Sequence, residues 1–148
     1  MHVRVNAAMS ADGKLSSRLR EQIAISGPED FARVDRLRAE HDAVMVGVGT
    51  VLADDPSLTV AHAELVTERQ ARGEPAQPAR VVADSRARTP PEAAILDDTA
   101  ATYVLVSAAA PTNRTEAIEA TDATVIVAGE DRVDLAEALA GLESAGVE

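Results

Sequence analysis

The segment from His41 to Val60, HDAVMVGVGTVLADDPSLTV, constrains the fold of this chain more than any other. Ala43 to Val48 is an unbroken apolar run, as expected of a central strand covered on both faces. It runs into Gly47-Val48-Gly49-Thr50, and a short helical turn then ends at Asp54-Asp55-Pro56. A strand, a glycine turn and exposed amides at a helix start form a seat for a phosphate or the polar edge of a cofactor. The two aspartates would stand beside that seat.

The flanking sequence reads as alternating strands and helices. His2 to Ser10 alternates, with Val3, Val5, Ala7 and Met9 on one face, and predicts a strand. Ser26-Gly27-Pro28-Glu29 has the pattern of a capping box, so a helix should run to about Glu40 and bury Phe31, Val34 and Leu37. Ala61 to Ala79 is polar and broken by Gly73, Pro75 and Pro78, which predicts an irregular surface segment with one helical turn. Strands are expected at Arg80–Asp84, Thr102–Val106 and Thr124–Val127, and a short helix at Asn113–Ala120. Asp134 can cap a last helix that turns Leu135, Leu139 and Leu142 inward and ends at Gly146. Five strands interleaved with helices predict an α/β fold with a largely parallel sheet and ligands at the strands' carboxyl ends. Those ends carry Ser10-Asp12-Lys14, Gly49-Thr50, Asp84-Ser85-Arg86 and Gly129.

Charge and composition narrow the function. The 148 residues suit one domain, and the net charge of −11 disfavours nucleic acid and anionic membranes as partners. An acidic chain poor in lysine and aromatics resembles proteins of high-salt cytoplasms. Without cysteine there are no disulfides, thiolate nucleophiles or Cys-based zinc sites, and His2, His41 and His62 lack metal-ligand spacing. No signal peptide or spanning helix is evident, so a cytoplasmic location is expected. Thirteen arginines accompany one lysine, Lys14, in the turn Met9-Ser10-Ala11-Asp12-Gly13-Lys14. Chance is one account of its position and a functional role is the other.

The glycines do not complete a dinucleotide fingerprint, because Leu52 stands where a third Gly or Ala is needed, and no Lys-Ser pair follows Gly49 as in a Walker loop. They could merely allow close packing at a strand end. Asp54-Asp55 could simply end a helix, although one carboxylate suffices for that. Arg38, last cation of its helix, could complement the helix dipole. Arg86 and Arg88 could be solvated counter-charges, or could recognise the 2′-phosphate of NADPH.

Asn6-Ala7-Ala8-Met9-Ser10-Ala11-Asp12-Gly13-Lys14, Arg38, and Gly49-Thr50-Val51-Leu52-Ala53-Asp54-Asp55-Pro56 followed by Leu58-Thr59-Val60 closely resemble the riboflavin-biosynthesis reductases. Val81-Val82-Ala83-Asp84-Ser85 matches the family's next strand and turn. The resemblance implies a dihydrofolate-reductase-like, three-layer α/β/α fold with a mostly parallel central sheet. It implies NADPH as cofactor and a phosphorylated ribosylaminopyrimidine as substrate, whose ribosyl group becomes ribityl. Lys14 and Asp54 match the pair suspected of assisting the chemistry. Gly49, Thr50, Asp54, Ala83, Asp84, Ser85, Arg86 and Gly129 are the implied cofactor contacts. Asn6, Arg38, Leu58 and His62 are the implied substrate contacts, and a homodimer is the expected assembly.

Two departures stand out. Bacterial relatives place an arginine where Ala61 stands, leaving His62 as a substitute contact. The family continues with a strand and a Glu-Gly-Gly-Gly turn after the point where this chain stops, so residues 1–148 are expected to lack the last strands of the domain and to bind NADPH weakly. No zinc-deaminase motif is present, as in the stand-alone archaeal and fungal reductases, which favours the 2,5-diamino-pyrimidinone substrate over the deaminated pyrimidinedione. A non-catalytic nucleotide-binding or partner module is the alternative from another class. A pteridine or folate reductase is disfavoured by Ala53-Asp54-Asp55-Pro56-Ser57-Leu58-Thr59-Val60.

Overall fold

The computed structural model of the chain describes residues 2–7 and 27–147. The turn expected at Met9–Lys14 and the Ser26 side of the capping box lie outside the described residues. The elements run α1 (Pro28–Glu40), β1 (Ala43–Gly47), α2 (Val48–Asp54), α3 (Ala63–Ala71), β2 (Ala79–Ala83), a 3-10 turn at Ala94–Leu96, β3 (Thr102–Val106), α4 (Thr112–Glu119), β4 (Thr124–Val127) and α5 (Leu135–Ser144). The four strands form one sheet in the order β1-β2-β3-β4, and each neighbouring pair is parallel.

Side-chain alternation along the strands builds a core on each face. Val46, Val82, Val104 and Val125 stand in one row across the sheet. They meet Val48 and Val51 of α2, Ile95 and Leu96 of the 3-10 turn, and Ile118 of α4. On the opposite face Val81, Leu105 and Ile126 meet Ala138 and Leu142 of α5. Gly141 permits that approach, because a Cβ there would lie 2.9 Å from Ile126 Cγ2. The result is three layers, with the apolar residues of β2 and β3 buried on both faces.

Among the described residues two arginines are buried in this framework. Arg80, on the face it shares with Val82, is fully buried. It donates to Thr102 Oγ1 at 2.9 Å, to Asp97 Oδ1 at 2.7 Å and to the carbonyls of Asp97 and Ala100. Arg69 of α3 donates to the carbonyls of Ala39, His41 and Pro75 and lies 3.2 Å from Glu74. Burying a guanidinium is tolerable only when its N–H groups find acceptors, and each of these ties distant loops together.

Several expectations are corrected. Residues 2–7 form no strand. Their polar side chains turn toward α1, with Arg33 Nη2 donating to Asn6 Oδ1 and Arg4 lying 3.7 Å from Glu40. Among the described residues β1 therefore has a strand neighbour on one side, and it is an end strand rather than a central one, with Met45 41% exposed. The polar segment after Val60 contains a full helix, α3, which its composition concealed. Asp35 of α1 accepts from the amides of Ala61 and His62 at that helix's start, supplying from a distance the cap its own sequence lacks. The same contact rotates α1, so Asp35 and Ala39 are buried, Val34 and Leu37 are half-buried, and Phe31 is 58% exposed. Leu135 is likewise exposed, because α5 turns Ala138 and Leu142 inward.

Asp35 yields a stability prediction. Burial pushes its carboxyl pKa up, but hydrogen bonds from the Ala61 amide, the His62 ring and the His62 amide outweigh this and hold it below the ordinary 3.8. A depressed folded-state pKa stabilises the fold above the unfolded value, and that contribution fades as pH falls through the folded value. Asp35→Asn should therefore cost about 1–3 kcal/mol at pH 7, and the gap from the unaltered chain should narrow below pH 3.8. Urea unfolding at both pH values checks it; a gap independent of pH contradicts the assignment.

Candidate active site

Because every strand runs the same way, the segments that follow them emerge on one edge of the sheet. Gly47 is in register with Ala83, Ala83 with Leu105, and Leu105 with Ile126. Gly49-Thr50, Asp84-Ser85-Arg86 and Gly129 accordingly share the carboxyl edge, as the strand order implied. Lys14 lies outside the described residues.

At the start of α2, Gly47, Gly49 and Thr50 are exposed, while Val48 and Val51 are buried beneath them. A Cβ at Gly47 or Gly49 would meet nothing within 4 Å among the described residues, so packing against those residues does not explain these glycines. The space beside the backbone is open to a ligand. The aspartate pair divides its work. Asp55 closes α2 in the left-handed conformation, with φ 41°, and its Oδ1 accepts from Ala94 N–H at 2.8 Å. Asp54 is exposed and makes no hydrogen bond or ion pair among the described residues. Leu58 also adopts a positive φ of 54° while its side chain is buried. Non-glycine residues held in this region cost free energy, and such strain clusters at functional segments.

The turn after β2 is built from polar contacts. Asp84 is fully buried, and its Oδ2 accepts from the amide and hydroxyl of Thr89 at 2.7 and 2.8 Å. Its Oδ1 accepts no hydrogen bond among the described residues and lies 3.9 Å from Arg88 Nε. The Ser85 carbonyl accepts from Ser107 Oγ at 2.8 Å, and the Ser85 hydroxyl accepts from Val133 N–H at 3.0 Å. Arg86 donates to the Ala109 carbonyl and Ala83 is half-buried. Gly129 has both backbone groups engaged, its N–H with Glu137 Oε2 and its carbonyl with Ala108 N–H. Its φ of 78° and the close Arg132 carbonyl, 2.3 Å from any added Cβ, make it a turn that only glycine can fill.

Asn6, Arg38 and Leu58 line one cleft of about 260 Å³ against β1, together with Val34 and His41. Arg38 Nη1 donates to the Thr59 carbonyl, and its other N–H groups have no partner among the described residues. His62 is not in that lining. Its Nδ1 lies 2.5 Å from Asp35 Oδ2, and the ring is largely exposed. Asp35, Ser107 and Arg132 were not foreseen from the sequence. Ser107 had a legible signal, since it follows β3 as Asp84 follows β2. Asp35 had none, because an aspartate in an amphipathic helix reads as solvated.

The RibD C-terminal domain family matches residues 1–148. The chain is 52% identical over 146 residues to the 2,5-diamino-6-ribosylamino-4(3H)-pyrimidinone 5′-phosphate reductase of Archaeoglobus fulgidus, covering 99% of this chain and 66% of the relative. It is 46% identical over 147 residues to the protein of the same name from Methanothermobacter thermautotrophicus, covering 99% and 64%. The chain thus spans about two-thirds of the length of these relatives. In fold it is similar to a pyrimidine reductase-like protein from Corynebacterium diphtheriae, with a TM-score of 0.73 at 18% identity over 95% of this chain and 60% of that one. It is also similar in fold to RibD of Acinetobacter baumannii, with a TM-score of 0.64 at 24% identity over 93% and 35%. By its sequence, this chain belongs to the RibD C-terminal domain family.

Proposed function

We propose that the chain forms part of an NADPH-dependent reductase that converts the ribosyl group of 2,5-diamino-6-ribosylamino-4(3H)-pyrimidinone 5′-phosphate to ribityl, a step of riboflavin biosynthesis. The observation that carries this reading is the 52% identity, over 99% of the chain, to an archaeal protein named for that reaction. The deaminated substrate is second, because both archaeal relatives are named for the diamino compound.

The carboxyl edge fits a nicotinamide dinucleotide. No described residue would meet a Cβ at Gly47 or Gly49, which leaves a ligand room beside the backbone, and Thr50 is exposed. The turn Ala83–Arg86, with Gly129 behind it, bounds the edge further along. When bound, the cofactor supplies the hydride. The protein's share is to bind, orient and move protons. Arg38, with N–H groups to spare, and Leu58 would hold the substrate in the cleft, with Asn6 at its rim; a charge-assisted bond from Arg38 suits an anionic phosphate. His62, fixed through Nδ1 by Asp35, would present Nε2 as a further contact.

Ring opening of the ribosylamine and reduction at the sugar carbon both require proton transfer. Asp54, exposed and unengaged among the described residues, has a carboxylate free to accept and return a proton, whereas Asp55 is committed to the fold. Lys14 is proposed as its partner on the strength of the family motif. The same reading takes the working protein to be a cytoplasmic homodimer in a high-salt cell, in keeping with the acidic composition and with apolar Met45 and Val127 exposed at the two ends of the sheet. Sedimentation as a monomer at micromolar concentration contradicts the dimer.

The direct test is NADPH oxidation by the chain and by a version extended through the family's Glu-Gly-Gly-Gly turn, with the diamino and dione substrates compared. Oxidation with neither substrate overturns the reading in favour of a non-catalytic module. Lys14→Ala and Asp54→Asn should each lower turnover on the order of 10²- to 10⁴-fold while leaving the melting temperature nearly unchanged. Near-normal turnover in either variant removes that residue from the chemical step.

A further inference from the structure

The Asp35 carboxylate makes one bond more than the start of α3 requires. Its oxygens accept from the amides of Ala61 and His62, and these two bonds suffice to cap that helix. It also accepts from the His62 ring, whose Nδ1 lies 2.5 Å from Asp35 Oδ2. A carboxylate can only accept, so Nδ1 carries the proton of this bond and Nε2 is the outward nitrogen. Nε2 has no partner among the described residues. The Asp35 side chain is 6% exposed and that of His62 is 59% exposed. A buried anion thus holds one side of an imidazole whose other side faces solvent.

The same helix brings a permanent cation to the same segment. Arg38, one turn after Asp35 on α1, donates through Nη1 to the Thr59 carbonyl and lines the cleft with Leu58. Arg38 and Asp35–His62 therefore meet the chain between Leu58 and α3 from one scaffold. The charged groups around His62 are Asp35 and Arg38 from α1 and Glu64 from the first turn of its own helix, and Asp35 is the one bonded to its ring. Bacterial relatives place an arginine where Ala61 stands. A guanidinium is charged at every working pH, whereas an imidazole is charged only while both nitrogens hold protons.

We infer that Asp35 is a positioning residue that couples phosphate binding to protonation of His62. When a phosphate monoester meets Arg38 and Nε2, the ring takes up a proton from solvent and becomes an imidazolium that donates to Asp35 on one side and to the phosphate on the other. This rests on the proposed function for the identity of the ligand, the monoester of the substrate. Both N–H groups of such a ring end on negative oxygens, which is the strong form of the hydrogen bond. The monoester is already close to a dianion at neutral pH, so on meeting cations it can release protons but gains none. Net uptake on binding therefore reports the ring. Affinity should also fall as pH rises through the range in which imidazoles lose their charge, which a site built on arginines alone does not do.

Calorimetric titration with ribose 5-phosphate, in buffers of different ionisation enthalpy, counts the protons exchanged. The unaltered chain should take up protons on binding, and should bind more weakly as pH rises from about 6.5 to about 8. His62→Gln should abolish both effects and weaken binding at the lower pH by roughly tenfold, the loss of one charge-assisted hydrogen bond. His62→Arg should recover the affinity without the uptake or the pH dependence. Asp35→Asn should still bind but take up fewer protons; if it does not fold, the two His62 variants, which keep the Asp35 cap, decide the coupling. Uptake that persists in His62→Gln, net release in the unaltered chain, or no measurable binding overturns the inference. Uptake that requires His62 but is unchanged in a folded Asp35→Asn overturns the role of Asp35. KM for the pyrimidine substrate should likewise rise with pH in the unaltered chain and not in His62→Arg; a KM equally dependent on pH in both overturns the coupling while leaving the activity intact. His62-dependent uptake without turnover of either pyrimidine leaves the coupling standing and sinks the proposed activity instead.

Discussion

Gly47 stands in register with Ala83 in a parallel pair, and the placement of the chemistry depends on that alignment. Parallel strands deliver their carboxyl ends to one edge, so the register decides which following segments become neighbours. Gly47 opens α2 with its exposed amides, and Ala83 opens the turn that carries Asp84, Ser85 and Arg86. A slip of one residue would turn Val46 and Val82 away from the core they share with Val104, and would separate the two turns as well. Packing and the placement of the two turns are fixed by the same pairing. The buried Arg80 ties the opposite end of β2 to the segment leading into β3, whose carbonyls its guanidinium satisfies.

The other side of the site depends on α1. Asp35 and Arg38, one turn apart on that helix, both grip the segment after Leu58, through the amides of Ala61 and His62 and the carbonyl of Thr59. The segment between α2 and α3 needs such restraint, because it holds Asp55 and Leu58 at positive φ without glycine. Asp55 contributes by bonding the amide of Ala94, and Gln77 by exchanging bonds with Val60. Thus the motif that most resembles the riboflavin reductases divides between residues that hold its shape, Asp55 among them, and residues left exposed at its surface, Asp54 and Thr50.

Much of this was legible in the sequence because local physics decided it. The apolar runs of β2, β3 and β4, the stop at Asp54-Asp55-Pro56 and the Asp134 cap of α5 all follow from side chains near in sequence. The misreadings share a different cause. The helix α3 was concealed because its cap comes from Asp35, many residues earlier. Phe31 was expected in the core because periodicity alone cannot say which face of a short helix a distant contact will turn inward. Ser85 and Val133 show the same limit, since their hydrogen bond joins loops after two different strands. Lys14, outside the described residues, is proposed on the family motif alone.

Chemical-shift mapping on isotope-labelled protein tests the central claim most directly, because it detects weak as well as tight binding. With NADP⁺ added, the account predicts that perturbed amides concentrate at the carboxyl edge, around Gly49-Thr50, Ala83–Arg86 and the loop from Gly129 to Val133. Ribose 5-phosphate should instead perturb residues around Arg38 and Leu58. Perturbations by NADP⁺ centred on the opposite edge, near Asp42, Ala79 and Ala101, would contradict it.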